Sequence, residues 1–177
     1  MNVLAFAASN SKQSINKQLV NYAGGLLAEE NAQVSYLDIN DYEMPIYSGE
    51  REEESGIPQL AHDFFNKIGE ADAIVISFAE HNGNYTAAYK NLFDWASRID
   101  MKVFQGKPMV LLATSPGPGG AASVLSIAKT SAPFFNGEVK GDVSIPSFYD
   151  NFDSELNVVT NEEANNKLKE ALAALIA

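Results

Sequence analysis

The 177-residue sequence predicts an α/β fold in which a five-stranded parallel sheet is covered on both faces by helices. Two observations support this prediction. Along the chain, five short segments that are apolar or alternate between apolar and polar residues are each followed by a segment whose apolar residues recur at helical spacing. Residues 72–78 and 109–114 are almost continuously apolar, which is typical of strands buried on both faces. The alternation predicts a three-layer α/β/α sandwich, and right-handed crossovers favour the strand order 2-1-3-4-5.

The elements follow from local patterns taken in chain order. The opening strand covers residues 3–7, and apolar spacing that begins at Ile15 predicts a helix to about residue 30. The remaining predicted strands cover residues 33–38, 72–78, 109–114 and 138–143, and the remaining predicted helices cover residues 58–69, 86–98, 121–132 and 160–175. Residues 39–57 and 144–158 are expected to be irregular connections, and the acidic run 50–54 is expected to be a solvated surface.

Two shorter patterns predict particular contacts within these helices. Lys90, Asp94 and Arg98 stand at i, i+4 spacing, which predicts a row of surface ion pairs. Thr160 and Glu163 have the spacing of a capping box at the start of the last helix.

Composition excludes several classes of function. The chain has no cysteine, which excludes disulfides, thiol catalysis and cysteine-based metal sites, and its two histidines, His62 and His81, exclude a multi-histidine metal site. A net charge of −11 argues against binding to nucleic acid or to anionic membranes. No apolar run approaches the roughly 20 residues that span a bilayer. We expect one cytoplasmic domain, residues 1–177, that acts on a small molecule.

Polar residues 9–16 form the turn between the first strand and the first helix. They supply three hydroxyl groups and one lysine, and they contain no acid. The start of a helix has unpaired N–H groups and a partial positive charge, so this turn suits a phosphate. Ser11 or Ser14 would equally serve as an ordinary helix cap. Both interpretations stay open at this point.

Two further distinctive turns, residues 80–85 and 115–120, follow the third and fourth strands. With the strand order 2-1-3-4-5, the loops after strands 1, 3 and 4 emerge at one carboxyl edge of the sheet; flavodoxin, with FMN at its switch point, is an established example. Their glycines let the backbone approach a ligand closely. The three turns together predict one crevice that binds a phosphate and a flat polar ring. Walker A and G-x-G-x-x-G motifs are absent.

The motifs of these turns resemble those of the NADPH-dependent FMN reductases, a flavodoxin-like family that includes chromate, quinone and azo-dye reductases. Residues 8–16 resemble the family pattern G-S-x-R-x-x-S-x-N. Residues 79–85 and 90–95 resemble P-E-Y-N followed by K-N-x-x-D-W, and residues 114–120 match a serine followed by a glycine-rich turn. The resemblance covers about residues 2–175.

The resemblance implies a single flavodoxin-like domain with bound FMN, NADPH or NADH as the hydride donor, and no metal. The implied FMN site comprises Ser9, Ser11, Ser14, Ile15 and Asn16 at the phosphate, Glu80, His81, Asn82 and Gly83 along the ribityl chain and ring, and Ser115, Gly117, Gly119 and Gly120 on the other side. Two positions depart from the family pattern, because Ser11 replaces an arginine and His81 replaces a tyrosine. Lys12, next to Ser11, supplies a nearby positive charge.

The function implied by the resemblance is an NAD(P)H-dependent oxidoreductase that passes hydride through FMN to a quinone, a nitro or azo compound, a metal oxyanion or a flavin. The resemblance also implies a homodimer or homotetramer. Because the flavin carries the chemistry, no strong acid–base constellation is needed. Two alternatives remain: a non-enzymatic flavodoxin-type electron carrier, which the acidic charge would suit, and an FMN-free binding domain.

Overall fold

The computed structural model describes residues 1–176, and its main sheet has five parallel strands in the order β2-β1-β3-β4-β5. The strands are β1 (Asn2–Ala8), β2 (Gln33–Asp38), β3 (Ala73–Phe78), β4 (Pro108–Thr114) and β5 (Glu138–Ile145), with a short antiparallel pair of β6 (Phe152–Asp153) and β7 (Val158–Val159). The helices are α1 (Ile15–Glu29), α2 (Gly49–Ser55), α3 (Gln59–Glu70), α4 (Ala87–Ile99), α5 (Ala122–Ser131), α6 (Phe148–Asn151) and α7 (Glu162–Ile176), and 3-10 turns occupy Ile39–Tyr42 and Ala132–Phe135. The predicted flavodoxin-like topology is confirmed.

Two apolar layers hold the sheet between its helices. One layer packs α3, α4 and α5 against side chains such as Phe6 and Ile76, and the other packs α1 and α7 against side chains such as Val3 and Val75. Every residue of β3 is buried, as its continuous apolar sequence predicts. None of the helices within residues 1–176 is long and apolar enough to cross a membrane.

The connection between β2 and α3, residues 39–57, is more regular than expected, since it contains a 3-10 turn and α2. The Ser48 side chain caps α2 by accepting a backbone N–H of its first turn at 3.3 Å. The acidic run is only partly a solvated surface, because the Glu52 carboxylate accepts the Tyr47 hydroxyl at 3.1 Å and Arg98 Nε at 2.8 Å. Local sequence does not reveal this helix because part of its support comes from α4.

The predicted row of ion pairs on α4 is only half formed. Lys90 Nζ lies 2.7 Å from the Asp94 carboxylate, one helical turn away. The prediction for Arg98 was wrong, because Arg98 pairs with Glu52 of α2 instead of Asp94.

Two predictions near the end of the chain were also wrong. Residues 144–158 contain the end of β5, α6, β6 and the start of β7, and are therefore not simply irregular. The predicted capping box of Thr160 and Glu163 is replaced by a different cap, because the Asn161 side chain accepts the N–H of Ala164 at 3.0 Å.

Candidate functional site

Three loops lie next to one another at the carboxyl edge of the sheet. Loop A (residues 9–14) follows β1, loop B (residues 79–86) follows β3, and loop C (residues 115–121) follows β4. These strands are consecutive neighbours in the sheet. The structure therefore brings together the three turns that the sequence singled out, and α1, α4 and α5 all begin there.

Asn16, in the first turn of α1, joins loop A to the ends of two strands. Its Nδ2 donates to the carbonyl of Thr114 at 3.1 Å, and its Oδ1 accepts the N–H of Thr114 at 3.1 Å and the hydroxyl of Ser77 at 2.8 Å. Asn16 is only 2% exposed. Its side chain is thus committed to the protein interior, and its backbone N–H is the polar group that has no acceptor within residues 1–176.

Loop B is tied to both of its neighbours. The Thr86 hydroxyl, in a side chain that is 1% exposed, donates to the carbonyl of Ala8 at the end of β1, at 3.1 Å. On the other side, a carboxylate oxygen of Glu80 accepts the N–H of Val124, the third residue of α5, at 2.9 Å. Together with Asn16, these contacts join loops A, B and C into one connected unit.

Hydroxyl oxygens of loop A fold the chain back on itself. Ser9 Oγ accepts the N–H of Ser11, and Ser14 Oγ accepts the N–H of Lys17, each at 3.3 Å. Ser14 is therefore the cap of α1. Capping uses one N–H of the first turn and leaves those of Ile15 and Asn16 without an acceptor among the described residues. Capping and anion binding are thus compatible at this helix end.

Loop B contains a tight hairpin that presents backbone to solvent. The N–H and carbonyl groups of His81 pair with those of Asn84 at 2.9 and 3.1 Å. The two residues between them, Asn82 and Gly83, have φ values of 53° and 75°, the left-handed conformation that glycine and asparagine adopt most readily. A Cβ at Gly83 would have no atom within 4 Å, so the space above the hairpin is open.

The glycines of loop C serve two different purposes. A Cβ at Gly117 or Gly119 would meet nothing within 4 Å, so both leave an open ledge of backbone. Gly120 has φ 59°, and a Cβ there would lie 2.3 Å from Ser144 Oγ, which makes glycine necessary for packing against β5. Ser115 is half-buried and donates its hydroxyl to the Gly117 carbonyl at 3.2 Å.

The helix ends at this edge differ in charge. The start of α5 is occupied by the Glu80 carboxylate, which satisfies an N–H and balances the positive end of the helix dipole. The first turn of α1 contains no acidic residue. Lys12, exposed in loop A, forms no ion pair within residues 1–176. An anion is therefore favoured at the start of α1 over the start of α5.

The K-N-x-x-D-W residues lie on α4, which follows loop B, and two of them bind the connection after β2. The Asn91 side chain accepts the N–H of Tyr47 at 2.8 Å and donates to the carbonyls of Met44 and Pro45. Trp95, which is 1% exposed, donates its indole N–H to the Pro45 carbonyl at 2.7 Å. These residues hold the connection after β2 against α4.

Sequence reasoning missed the polar side chains that join the loops. Ser77, Thr86 and Thr114 are buried, and each bonds a partner distant in the chain. The one available signal was Ser77, a hydroxyl residue inside an otherwise apolar strand. Within residues 1–176, no cluster of three or more histidine, aspartate or glutamate side chains is placed to hold a metal ion.

Comparison with known proteins identifies the family. A family model described as NADPH-dependent FMN reductase matches residues 1–150. The chain is 31% identical to an NADPH:quinone oxidoreductase of Arabidopsis thaliana, covering 99% of this chain and 90% of that protein. It is 28% identical to an NAD(P)H-dependent FMN reductase of Pseudomonas aeruginosa, covering 98% and 92%. The structure of a flavoenzyme NAD(P)H:(acceptor) oxidoreductase from Paracoccus denitrificans superposes with a TM-score of 0.77 at 25% identity, covering 99% and 94%. The chain therefore belongs to the NADPH-dependent FMN reductases, a family of oxidoreductases.

Proposed function

We propose that this chain binds FMN across loops A, B and C and uses it to reduce quinones with NADPH or NADH. The observation that carries the proposal is the start of α1, where the N–H groups of Ile15 and Asn16 have no acceptor within residues 1–176 and no acid lies in the first turn. A phosphate at this position accepts two backbone hydrogen bonds and faces the positive end of the helix dipole. The quinone relative supports the choice of acceptor.

The residues of loop A fit a phosphate group. Ser9, Ser11 and Ser14 supply hydroxyl groups, and Lys12 supplies a positive charge that no carboxylate of the described chain neutralises. The charge matters because the protein carries a net charge of −11, which repels an anionic ligand. Local donors must therefore outweigh the overall field, and a lysine contributes a point charge where the family motif has a bidentate arginine.

Loops B and C fit the ribityl chain and the ring. The backbone at Gly83, Gly117 and Gly119 borders open space, where a side chain would otherwise hinder a flat ring. In this proposal Glu80, His81 and Asn82 line one side, and Ser115 with Gly120 forms the base of the other. Exposed backbone N–H groups there are suited to stabilise negative charge on the ring.

Bound FMN would supply the hydride chemistry, so that NAD(P)H, a proton and a quinone would yield NAD(P)⁺ and a hydroquinone. The protein's part is to hold the ring at a fixed position and to keep one face accessible. The hydrogen bonds that Asn16 and Thr86 donate and the one that Glu80 accepts serve that purpose, because they fix the separation of the three loops. Nitro and azo compounds, metal oxyanions and free flavin are further candidate acceptors.

We also propose a single cytoplasmic domain that assembles as a homodimer or homotetramer. An apolar groove of about 300 Å³ between α4 and α5, lined by Tyr85, Phe93 and Phe135 among others, supports association. Trp95 does not contribute to such a surface, because it is 1% exposed and does not line the groove.

The test is to reconstitute the protein with FMN and record its visible absorption during anaerobic titration with NADPH and with NADH. Loss of the flavin absorption, followed by its return when a quinone is added, is the expected result. Tight FMN binding without reduction by either nucleotide would favour the electron carrier. Failure to take up FMN would contradict the whole proposal and favour a flavin-free binding domain.

A further inference from the structure

We propose that the segment after β5, residues 146–151, which includes the short helix α6 and is here called loop D, forms a fourth wall of the site, and that its Tyr149 packs against the flat ring of the quinone acceptor. The inference rests on the proposed function, because it concerns the second substrate of that reaction. Loop D follows a parallel strand next to β4, so it emerges at the same carboxyl edge as loops A, B and C.

Loop D is bonded directly to loop C. The N–H of Ser147 donates to the Gly117 carbonyl at 2.9 Å, and the N–H of Phe148 donates to the Ser115 carbonyl at 3.0 Å. The acceptors are two of the residues that the proposed function assigns to the flavin site. Tyr149 follows these two donors immediately in the chain, so its backbone lies beside loop C.

The backbone of loop D is held in place by side-chain packing and by a hydrogen bond within the loop, and it carries one exposed aromatic side chain. Phe148 is fully buried and stacks on Phe152, with ring centroids 4.6 Å apart. Asn151 Nδ2 donates to the Pro146 carbonyl at 2.8 Å and closes the loop on itself. Tyr149 forms a T-shaped pair with Phe148, with ring centroids 5.5 Å apart, yet it is 70% exposed. The anchored backbone limits the ordering cost when a ligand packs against this ring.

Loop C offers no aromatic side chain that a flat substrate could pack against. Its ledge at Gly117 and Gly119 is bare, and the loop contains no aromatic residue. Tyr149 supplies the missing aromatic ring from the neighbouring loop. A quinone is flat and neutral, so an aromatic side chain contacts it favourably, and burial of the exposed tyrosine ring adds to the binding energy.

The experiment uses the FMN-loaded, oxidised protein titrated calorimetrically with 1,4-naphthoquinone, because oxidised flavin and oxidised quinone do not react. Tyr149→Ala is compared with Tyr149→Phe and with Phe134→Ala. Phe134 is a matched control, since it is 80% exposed but follows α5 at the opposite edge of the sheet.

Tyr149→Ala is expected to weaken naphthoquinone binding by about 2- to 12-fold, the range typical of an aromatic pair. Tyr149→Phe keeps the ring and is expected to bind like the wild type, as is Phe134→Ala. The affinity of all three variants for FMN is expected to change by less than about twofold, because an exposed ring that packs on the acceptor does not hold the cofactor.

Wild-type affinity for naphthoquinone in Tyr149→Ala, or equal losses in Tyr149→Ala and Phe134→Ala, would overturn the inference. A loss in Tyr149→Phe as large as that in Tyr149→Ala would also overturn it, because the ring is then not the contact. If the wild-type protein takes up no FMN, the proposed function fails and this inference fails with it. If FMN binds normally but the substitution of Tyr149 does not change the affinity for naphthoquinone, this inference fails and the proposed function stands.

Discussion

Loop A and loop C lie at the same edge of the sheet, yet they are held in shape by different sets of contacts. In loop A, the hydroxyl oxygens of Ser9, Ser11 and Ser14 accept N–H groups only two or three residues further along the chain. Loop C has one local side-chain bond, from Ser115 to the Gly117 carbonyl, but it also depends on distant residues. Glu80 of loop B binds the first turn of the helix that follows loop C, and Ser147 of loop D binds the centre of loop C.

Loop A is shaped by hydrogen bonds within its own sequence, whereas loop C is shaped largely by contacts that form only when the sheet is assembled. Loop A needs its own serines and the start of α1. Loop C keeps its position only while β5, loop B and loop D are in place. Substitutions far along the chain are therefore expected to disturb loop C and to spare loop A, and the predictions below test that contrast.

The largest effect is expected for Asn16→Ala, which removes the side chain that joins α1 to β3 and β4. Buried groups of Ser77 and Thr114 lose their partner, so the free energy of unfolding should fall by about 2–4 kcal/mol. Urea denaturation measures this loss. Asn21→Ala, at an exposed position on the same helix, is the control and should cost almost nothing. Equal stability of Asn16→Ala and Asn21→Ala would show that the hydrogen bonds of the Asn16 side chain do not stabilise the fold.

Gly120→Ala should be the most damaging change within loop C itself. The residue has φ 59°, and a Cβ would lie 2.3 Å from Ser144 Oγ and 3.0 Å from the backbone nitrogen of Pro146. We expect a loss of about 2–3 kcal/mol from backbone strain and overpacking. Gly117→Ala borders open space and should leave the stability unchanged while weakening FMN binding. A stability loss in Gly117→Ala as large as in Gly120→Ala would contradict this division of roles.

Glu80→Ala should destabilise the start of α5 by about 1–2 kcal/mol, the usual cost of a lost helix cap. It should also weaken FMN binding, because the gap between loops B and C is no longer fixed. Glu80→Gln keeps an oxygen acceptor for the N–H of Val124 and should retain most of the stability and affinity. Both are measured by urea denaturation and by FMN fluorescence titration. Identical behaviour of the alanine and glutamine variants would refute a positioning role.

Ser14→Ala is expected to cost about 1 kcal/mol by removing the cap of α1. The same variant should weaken FMN binding, because the phosphate loses a hydroxyl donor and an ordered helix start. Ser48→Ala is the control: Ser48 caps α2 with the same 3.3 Å geometry, on a helix that does not begin at any of the three loops. It should lower stability without changing FMN affinity. If both variants bind FMN equally well, Ser14 is only a cap.

The smallest effect concerns the ion pair of Lys17 and Asp38, whose charged atoms are 2.7 Å apart at the surface. The hydrogen bond from Lys17, helped by the N–H of Asn40, holds the pKa of Asp38 below its usual value. A lowered pKa means that the stabilisation is present above the unfolded pKa and is lost as the pH falls through the folded pKa. Lys17→Met should raise the Asp38 pKa in an NMR titration and cost less than about 1 kcal/mol at neutral pH. An unchanged pKa would show that the lysine is not its cause.

Much of the fold follows from the sequence because its elements are marked locally. The alternation in residues 33–38 gave the bounds of β2, and the apolar run after Asp72 gave β3. The short helix α2 was not predicted, and one of its contacts is with Arg98, which lies 46 residues from Glu52. A pattern of charges does not show which distant partner each charge will meet.

The candidate site divides in the same way. The serines of loop A and the glycines of loops B and C stood out because their turn chemistry is local. The contact between Glu80 and Val124 spans 44 residues, and the contact between Asn16 and Thr114 spans 98, so neither could be inferred before the sheet was known. Loop D escaped notice for the same reason, since nothing in its sequence marks it as a neighbour of loop C.

The central claim is that the start of α1 holds the phosphate of FMN. The most direct test is a fluorescence titration of the apoprotein with FMN and with riboflavin, which differ only in the phosphate. Charge-assisted hydrogen bonds of about 1.5–3 kcal/mol predict that FMN binds at least about tenfold more tightly. Equal affinity for the two flavins would contradict the claim, whatever the fate of the ring between loops B and C.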